Sequence, residues 1–343
     1  LALAAFRLLS DPALETLLLA LDRSGGPMGE ALFVHARDHP GLGDWEGLTG
    51  WQPFKPQAQA WDIAGRRRVI ELPVGKWPMV LLLPGKSRDE VLHSFATAWD
   101  RVAEGGHLVV AMSNDEGAAR FEKELSRAAG GVESIQKNKC RAFWFKAGGA
   151  RDETLLNEWR QLGEMRRVEG TEFFTQAGVF SHGRIDAGSG LLVRHLPKGL
   201  TGRVADLGAG WGFLADAVLS TSPGLGGIDL YEADLRALDC ARLNLARHGE
   251  REIGFHWHDV TTGIAPGYDV VIMNPPFHRG TETDVDLGRD FLRAGAAALR
   301  RGGRMFLVAN RQLPYEAVLD ELRLPWRKLA EDATYKVLSA TGR

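Results

Sequence analysis

Cysteine is almost missing from this chain. Only Cys140 and Cys240 occur in 343 residues, in no Cys-x-x-Cys spacing. Neither a disulfide framework nor a zinc site is expected, and a reducing cytoplasm fits. Charge imbalance is missing too: 42 basic against 44 acidic residues leave a net charge of -2. That excludes a globally basic nucleic-acid coat, although a local patch can still steer a polyanion. No apolar run reaches the length of a membrane span. The opening Leu1-Ala2-Leu3-Ala4-Ala5-Phe6 has a faint export-signal character without a clean cleavage pattern. Asp11, Glu15, Asp22 and Arg23 interrupt the apolar residues that follow, so residues 10–22 read as an amphipathic helix.

What is present is present twice. Tyr268 to Met273 reads as a strand, 286–300 as a helix, Gly302-Gly303 as a turn, Arg304 to Asn310 as a strand, 315–322 as a helix and 327–340 as a closing hairpin. The same order recurs with Met79 to Leu83, 88–103, Gly105-Gly106, His107 to Met112, 115–129 and 132–146. Two tandem α/β domains with Rossmann-like doubly wound sheets are expected, 1–148 and 149–343, joined through Ala147-Gly148-Gly149-Ala150.

The copies differ in chemistry. Val204-Ala205-Asp206-Leu207-Gly208-Ala209-Gly210-Trp211-Gly212 is a buried strand, an acidic residue, a glycine loop and then a helix starting near Phe213. Glycines there let the backbone approach a ligand at the helix N-terminus. A dinucleotide fingerprint would need a third glycine where Phe213 stands. The Asp-x-Gly-x-Gly-x-Gly form instead resembles the first motif of S-adenosylmethionine-dependent methyltransferases. Further on, Val270-Val271-Ile272-Met273 runs into Asn274-Pro275-Pro276-Phe277. Each proline lacks an N–H and pushes the preceding residue to extended geometry, so the strand stops there and leaves a rigid turn. Its carbonyls, amide and aromatic face suit a planar ring with an exocyclic amine. The first copy has Pro84-Gly85-Lys86-Ser87 at that place and no glycine loop before it; Val80 occupies the position where a phosphate-binding loop needs glycine.

Taken together, these segments resemble the ribosomal RNA guanine-N2 methyltransferases of the small-subunit type, in which a degenerate methyltransferase-like domain precedes an active one. The likeness is closest over 176–321. Gln176 to Ser181 with Ile185 to Ser189 is similar to that family's entry motif, and Asn274 to Gly280 and Val308 to Tyr315 are similar to its substrate-side segments. The resemblance implies transfer of a methyl group from S-adenosylmethionine to the N2 amine of a guanine in ribosomal RNA, naked or in a ribosomal subunit, by a cytoplasmic monomer. The first domain would capture substrate or support its sibling.

On this reading Asn274, Pro275, Pro276 and Phe277 form the catalytic turn. The Asn274 side-chain carbonyl and the Pro275 backbone carbonyl accept the two amine hydrogens and aim the nitrogen lone pair, while Phe277 stacks on an unpaired base. Gly208, Gly210 and Gly212 cradle the cofactor. Asp206 either orders the glycine loop or meets the methionine amino group, and Glu232, in preference to Asp229, accepts from the ribose hydroxyls. Asp259 receives the adenine amine or caps a turn, and Val260 offers a backbone donor. Asp186 and Ser189 close over the methionine tail or cap a helix. Phe277, Arg279 and Asn310 line the substrate side, with His278 either a substrate contact there or a loop-packing histidine. His256 and His258 share a strand face but have no further ligands, so no metal is expected. The arginines between 279 and 311, with Arg66-Arg67-Arg68, are either an RNA-facing patch or ordinary solvated faces. The turn alone does not exclude a large-subunit guanine, adenine N6 or a protein glutamine amide as acceptor. A pure RNA-binding module would need neither glycine loop nor turn.

Overall fold

The computed structural model describes residues 11–26, 29–276, 278–279, 282–283 and 285–343, with backbone alone at 278, 279, 282, 283 and 285. The apolar opening Leu1 to Phe6 and the expected stacking residue Phe277 lie outside the described residues. The chain divides into two compact units, Leu1–Glu164 and Met165–Arg343.

In the first unit, α1 (Pro12–Ser24) is followed by β1 (Ala31–Val34), β2 (Leu48–Trp51), α2 (Lys55–Ile63), β3 (Arg67–Val69), β4 (Trp77–Leu82), α3 (Arg88–Trp99), β5 (Val102–Ser113), α4 (Ala118–Ala129), the hairpin β6 (Glu133–Lys137) and β7 (Cys140–Lys146), and α5 (Glu153–Leu162). The second unit opens on the short pair β8 (Arg166–Arg167) and β9 (Phe174–Thr175), then α6 (Ala187–His195), β10 (Gly202–Leu207), α7 (Phe213–Thr221), β11 (Leu225–Glu232), α8 (Leu235–Leu245), β12 (Ile253–Trp257) and β13 (Tyr268–Met273). A second short pair, β14 (His278–Arg279) and β15 (Glu282–Thr283), precedes α9 (Val285–Ala298), β16 (Leu299–Asn310), α10 (Tyr315–Glu321) and the closing β17 (Trp326–Glu331) and β18 (Tyr335–Thr341).

The duplication is explicit in the sheets. One has the order β3-β2-β1-β4-β5-β7-β6 and the other β12-β11-β10-β13-β16-β18-β17, seven strands each. In each, the long strand pairs antiparallel with the closing hairpin, β5 with β7 and β16 with β18. Alternation along the strands separates two cores per sheet: Ala205 and Leu207 face the α9–α10 side, while Val204 and Leu230 face the α7–α8 side. The glycine pairs expected as turns are irregularities inside β5 and β16. Gly105 and Gly302 take φ of +71° and +74°, and a Cβ on Gly303 would stand 2.9 Å from the Tyr268 carbonyl. The helices before them therefore stop at Trp99 and Ala298, earlier than their apolar patterns suggest.

The division between units falls after α5 rather than at Ala147–Ala150. Leu155, Leu156 and Trp159 of α5 are buried in the core that α3 shares, so this helix belongs to the first unit.

Matching strand registers show what the first unit has lost. Val34 pairs with Leu82 as Leu207 pairs with Met273, and Val34 pairs with Trp51 as Leu207 pairs with Tyr231. Phe33 therefore occupies the place of Asp206, His35 that of Gly208, Gln52 that of Glu232 and Leu83 that of Asn274. The sequence alignment of Pro84 with Asn274 is thus one residue out of register. Each replacement is filled in: His35, at φ +56°, stacks on Trp51 at 5.2 Å between ring centroids. Buried Gln52 donates to the Ala36 carbonyl at 2.8 Å and accepts from Phe54 N at 2.9 Å. A single 3-10 turn, Pro40–Leu42, stands where the second unit has α7.

The first unit's core tolerates no added bulk at Gly50, where a Cβ would meet Trp61 at 2.5 Å. Trp61 is fully buried and packs edge-on to Phe33 at 5.9 Å. Gly50→Ala is expected to cost about 1–3 kcal/mol by overpacking, read as a lower urea midpoint in tryptophan fluorescence; an unchanged midpoint would mean that this core yields.

Candidate active site

The site lies at the carboxyl ends of the parallel strands, where the order turns from β10 to β13. Ligands bind open α/β sheets at such a switch point. Because Leu207 pairs with Met273, the next residues of the two strands, Gly208 and Asn274, stand side by side beyond the sheet.

Gly208, Gly210 and Gly212 take φ of +71°, +55° and +88°, a region costly for residues with a Cβ. A Cβ on Gly208 would touch Phe291 and one on Gly212 would touch Ala241, but one on Gly210 would meet nothing within 4 Å. Gly210 thus borders open space. Its N–H donates to Glu232 Oε2 at 2.7 Å, and Asp234 N donates to Oε1 at 2.8 Å. Glu232, not Asp206, orders the loop. Burial pushes the Glu232 carboxyl up to about 7, against the pull of those N–H groups.

Asp206 is fully buried, and neither oxygen has a hydrogen-bond partner among the described residues. The Ala215 backbone N–H is the group that favours its charged form. Burial pushes this carboxyl up to about 8, with repulsion from Glu232 adding to it. An orphaned carboxylate beneath a glycine loop at a helix N-terminus fits a cationic group of a bound ligand. Asp229, the competitor to Glu232, is committed elsewhere: it accepts from Arg203 at 2.6 Å, His256 at 2.9 Å and Tyr268 at 2.9 Å. Asp259 follows the end of β12 and caps a 3-10 turn, its Oδ1 accepting from Thr261 N at 3.0 Å and Thr261 Oγ1 at 2.7 Å. Val260 is buried.

Asn274 is held from behind. Its Nδ2 donates to Asp186 Oδ2 and to Ser189 Oγ, both at 2.9 Å. A carboxylate only accepts, so the amide nitrogen must face it, and the carbonyl oxygen faces the other way. Asp186 also caps α6, accepting from Ser189 N at 2.7 Å. Asn310 ends β16 and accepts from Gln312 N at 3.2 Å. His278 and Arg279 form the short strand β14; Pro275 is buried and Pro276 exposed.

Three contributors carry no sequence signal. Asn244 Oδ1 accepts from Phe174 N at 2.6 Å, and its Nδ2 donates to the carbonyls of Phe174 and Trp211 at 2.9 and 2.8 Å. Trp211, inside the glycine loop, donates from Nε1 to the Phe180 carbonyl at 3.2 Å. These bonds tie Phe174 and Phe180 to the loop. Tyr335 packs against Gly188, beside Asp186.

His256 and His258 bracket Tyr231, one stacked at 4.6 Å and the other edge-on at 5.7 Å. Their Nε2 atoms meet Asp229 and the Gly263 carbonyl, and among the described residues no cluster of three or more His, Cys, Asp or Glu could hold a metal. No helix among them is long and apolar enough to cross a membrane. Five arginines of the two clusters are held in ion pairs. Arg66 pairs with Asp38, Arg68 with Asp62, Arg289 with Asp286, Arg293 with Asp290 and Arg300 with Asp269.

A glycine loop beside an amide-bearing Pro-Pro turn on this sheet defines an α/β methyltransferase domain, and residues 170–339 match the family described as the methyltransferase small domain. Among the relatives named ribosomal RNA small subunit methyltransferase C, that of Ectopseudomonas mendocina is 30% identical over 303 residues, 83% of this chain and 89% of its own. That of Pseudomonas paraeruginosa is 30% identical over 279 residues, covering 80% and 83%. A T. thermophilus 16S rRNA N2 G1207 methyltransferase, solved with AdoMet and guanosine, is similar with a TM-score of 0.80, 26% identity and coverage of 98% and 93%. The chain belongs to the ribosomal RNA small subunit methyltransferase C family.

The raised carboxyls have a measurable consequence. Asp206 and Glu232 bind protons more tightly folded than unfolded, so their contribution to stability is fully present below the unfolded values near 4 and is lost as pH rises through about 7 and 8. The ligand-free chain should melt at a lower temperature at pH 8.5 than at pH 5.5. Asp206→Asn should flatten that slope; an equally steep slope in the variant would place the titration elsewhere.

Proposed function

We propose that this chain transfers the methyl group of S-adenosylmethionine to the exocyclic N2 amine of a guanine in small-subunit ribosomal RNA, acting as a monomer in the cytoplasm. The observation that carries this reading is the Asn274 amide, oriented with its carbonyl outward immediately beside the glycine loop. Family membership and the guanosine in the T. thermophilus structure support guanine over adenine, a protein amide or a large-subunit site.

The cofactor supplies a methyl group already activated on a sulfonium. The buried Asp206 carboxyl would receive the methionine ammonium, whose charge would hold it ionised. Each Glu232 oxygen spends one lone pair on a backbone N–H and keeps another for a ribose hydroxyl. Asp259 has Oδ2 left for the adenine amine, with Val260 N–H toward the ring. At the acceptor, the Asn274 carbonyl and the Pro275 backbone carbonyl take the two amine hydrogens and turn the nitrogen lone pair outward. A guanine amine is a poor nucleophile because its lone pair is delocalised, so this orientation and the stabilisation of developing positive charge dominate. The proton then leaves an acidic cationic nitrogen without a strong base. Phe277, His278, Arg279 and Asn310 complete the substrate side.

The first unit, in this proposal, binds no cofactor, since Phe33, His35, Gln52 and Leu83 stand in the places of Asp206, Gly208, Glu232 and Asn274. Its role is substrate capture or support, and any capture runs through exposed cations other than Arg66 and Arg68, which hold β3 in place.

Calorimetry should show one S-adenosylmethionine site per chain, weakened by Glu232→Ala about tenfold or more, as expected for losing charge-assisted hydrogen bonds of about 1.5–3 kcal/mol. Asn274→Ala should keep cofactor affinity while turnover falls on the order of 100-fold. Nucleoside mass spectrometry of small-subunit RNA after incubation should reveal N2-methylguanosine. Another modified nucleoside, or two cofactor sites, would overturn the proposal.

A further inference from the structure

The pair of hydrogen bonds behind Asn274 assigns Asp186 a task distinct from cofactor binding, and this inference rests on the functional reading above. We infer that Asp186, helped by Ser189, is the positioning residue that fixes the Asn274 amide for the acceptor amine.

An asparagine at the tip of a strand has two amide orientations of nearly equal shape. The wrong one presents N–H donors to an amine whose hydrogens need acceptors. Asp186 removes that choice. Its carboxylate accepts from Asn274 Nδ2 at 2.9 Å, and the orientation that placed Oδ1 there would set two acceptors against each other. Ser189 Oγ takes the second amide hydrogen at 2.9 Å. Both hydrogens are occupied, so Oδ1 is the group directed away from the pair. The charge also acts through the amide: a carboxylate pulling on the N–H side increases electron density on Oδ1 and strengthens it as an acceptor.

Asp186 itself has little freedom. The same Oδ2 accepts from Ser189 N at 2.7 Å as the cap of α6. Gly188 sits so tightly between Asp186 and Tyr335 that a Cβ there would be 3.1 Å from Oδ2 and 3.0 Å from the Tyr335 ring. Upstream, Trp211 and Asn244 pin the preceding segment to the glycine loop. The segment leading to Asp186 is therefore tied at Phe174 and Phe180 to the loop proposed to cradle the donor.

A helix cap alone, a cofactor ligand and a positioning residue make different predictions. Serine caps helices well but its side chain is shorter, so Asp186→Ser keeps the cap and gives up the bond to Asn274. Asp186→Asn places a neutral acceptor oxygen where the carboxylate oxygen stands. With purified full-length protein and small-subunit RNA, Asp186→Ser should keep its melting temperature and its S-adenosylmethionine Kd within about twofold, while kcat falls about 10- to 100-fold, the loss usual when an orienting partner is removed from behind a reacting ligand. Asp186→Asn should recover most of that kcat. The double variant Asp186→Ser/Asn274→Ala should be no slower than Asn274→Ala alone, because both changes remove one effect. Wild-type kcat in Asp186→Ser would reduce Asp186 to a cap, and a parallel loss of cofactor affinity would make it a cofactor ligand; either overturns the inference and leaves the functional reading standing. If Asn274→Ala itself turned over normally, the functional reading would fail, and this inference with it.

Discussion

The parallel pairing of β10 with β13 is the constraint on which the rest of the second unit depends. Adjacent strands lie about 4.8 Å apart, so the pairing of Leu207 with Met273 puts the glycine loop and the Asn274 turn within one strand spacing of each other. A slip of one residue would invert every side chain of β13 and drive Asn274 toward the core. What opposes it is side-chain shape, since Val270 and Ile272 fit the core on one side of the sheet and Val271 and Met273 the core on the other. The geometry of the reacting centre is thus set by aliphatic packing well below it.

Electrostatics divides the work between two carboxylates, Asp206 fully buried and Glu232 half-buried. Glu232 is held by two backbone N–H groups and acts as part of the loop's own structure. Asp206 has only the Ala215 backbone N–H to favour its charged form, and burial raises its carboxyl to about 8 because a buried anion is costly. A cation beside it would draw the carboxyl proton off and hold the carboxylate charged. Local departures of this kind, in an otherwise satisfied framework, mark the places where a structure serves binding rather than stability.

Much of the framework was legible in the sequence because its signals are local. Val270 to Met273 is a continuous apolar run ended by prolines, the glycine loop leads into α7 at Phe213 where expected, and the repeated Gly-Gly pairs disclosed the duplication. What escaped depends on residues distant in sequence. Asp186 and Asn274 are 88 residues apart, and Asn244 reaches Phe174 across 70. Arg66 and Arg68 look like free charge until Asp38 and Asp62 are folded against them. The glycine-rich stretch before α5 reads as a boundary, yet the amphipathic face of α5, Leu155, Leu156 and Trp159, completes a core begun far upstream.

The first unit separates fold from chemistry. Its sheet keeps the strand order of the second, and its closing hairpin pairs in the same sense. Packing preserves that order, since apolar residues on both faces of β1 and β4 make each strand's place in the sheet nearly obligatory. Nothing in that packing requires an acid at Phe33, a glycine at His35 or an amide at Leu83. Once those positions became apolar or aromatic they gained contacts of their own: Phe33 against Trp61, His35 against Trp51, Leu83 in the core. A return to chemistry would have to empty a filled space and rebuild the missing helix after β1. The same fold can therefore persist without its activity, and function in this chain has to be argued from the site of the second unit alone.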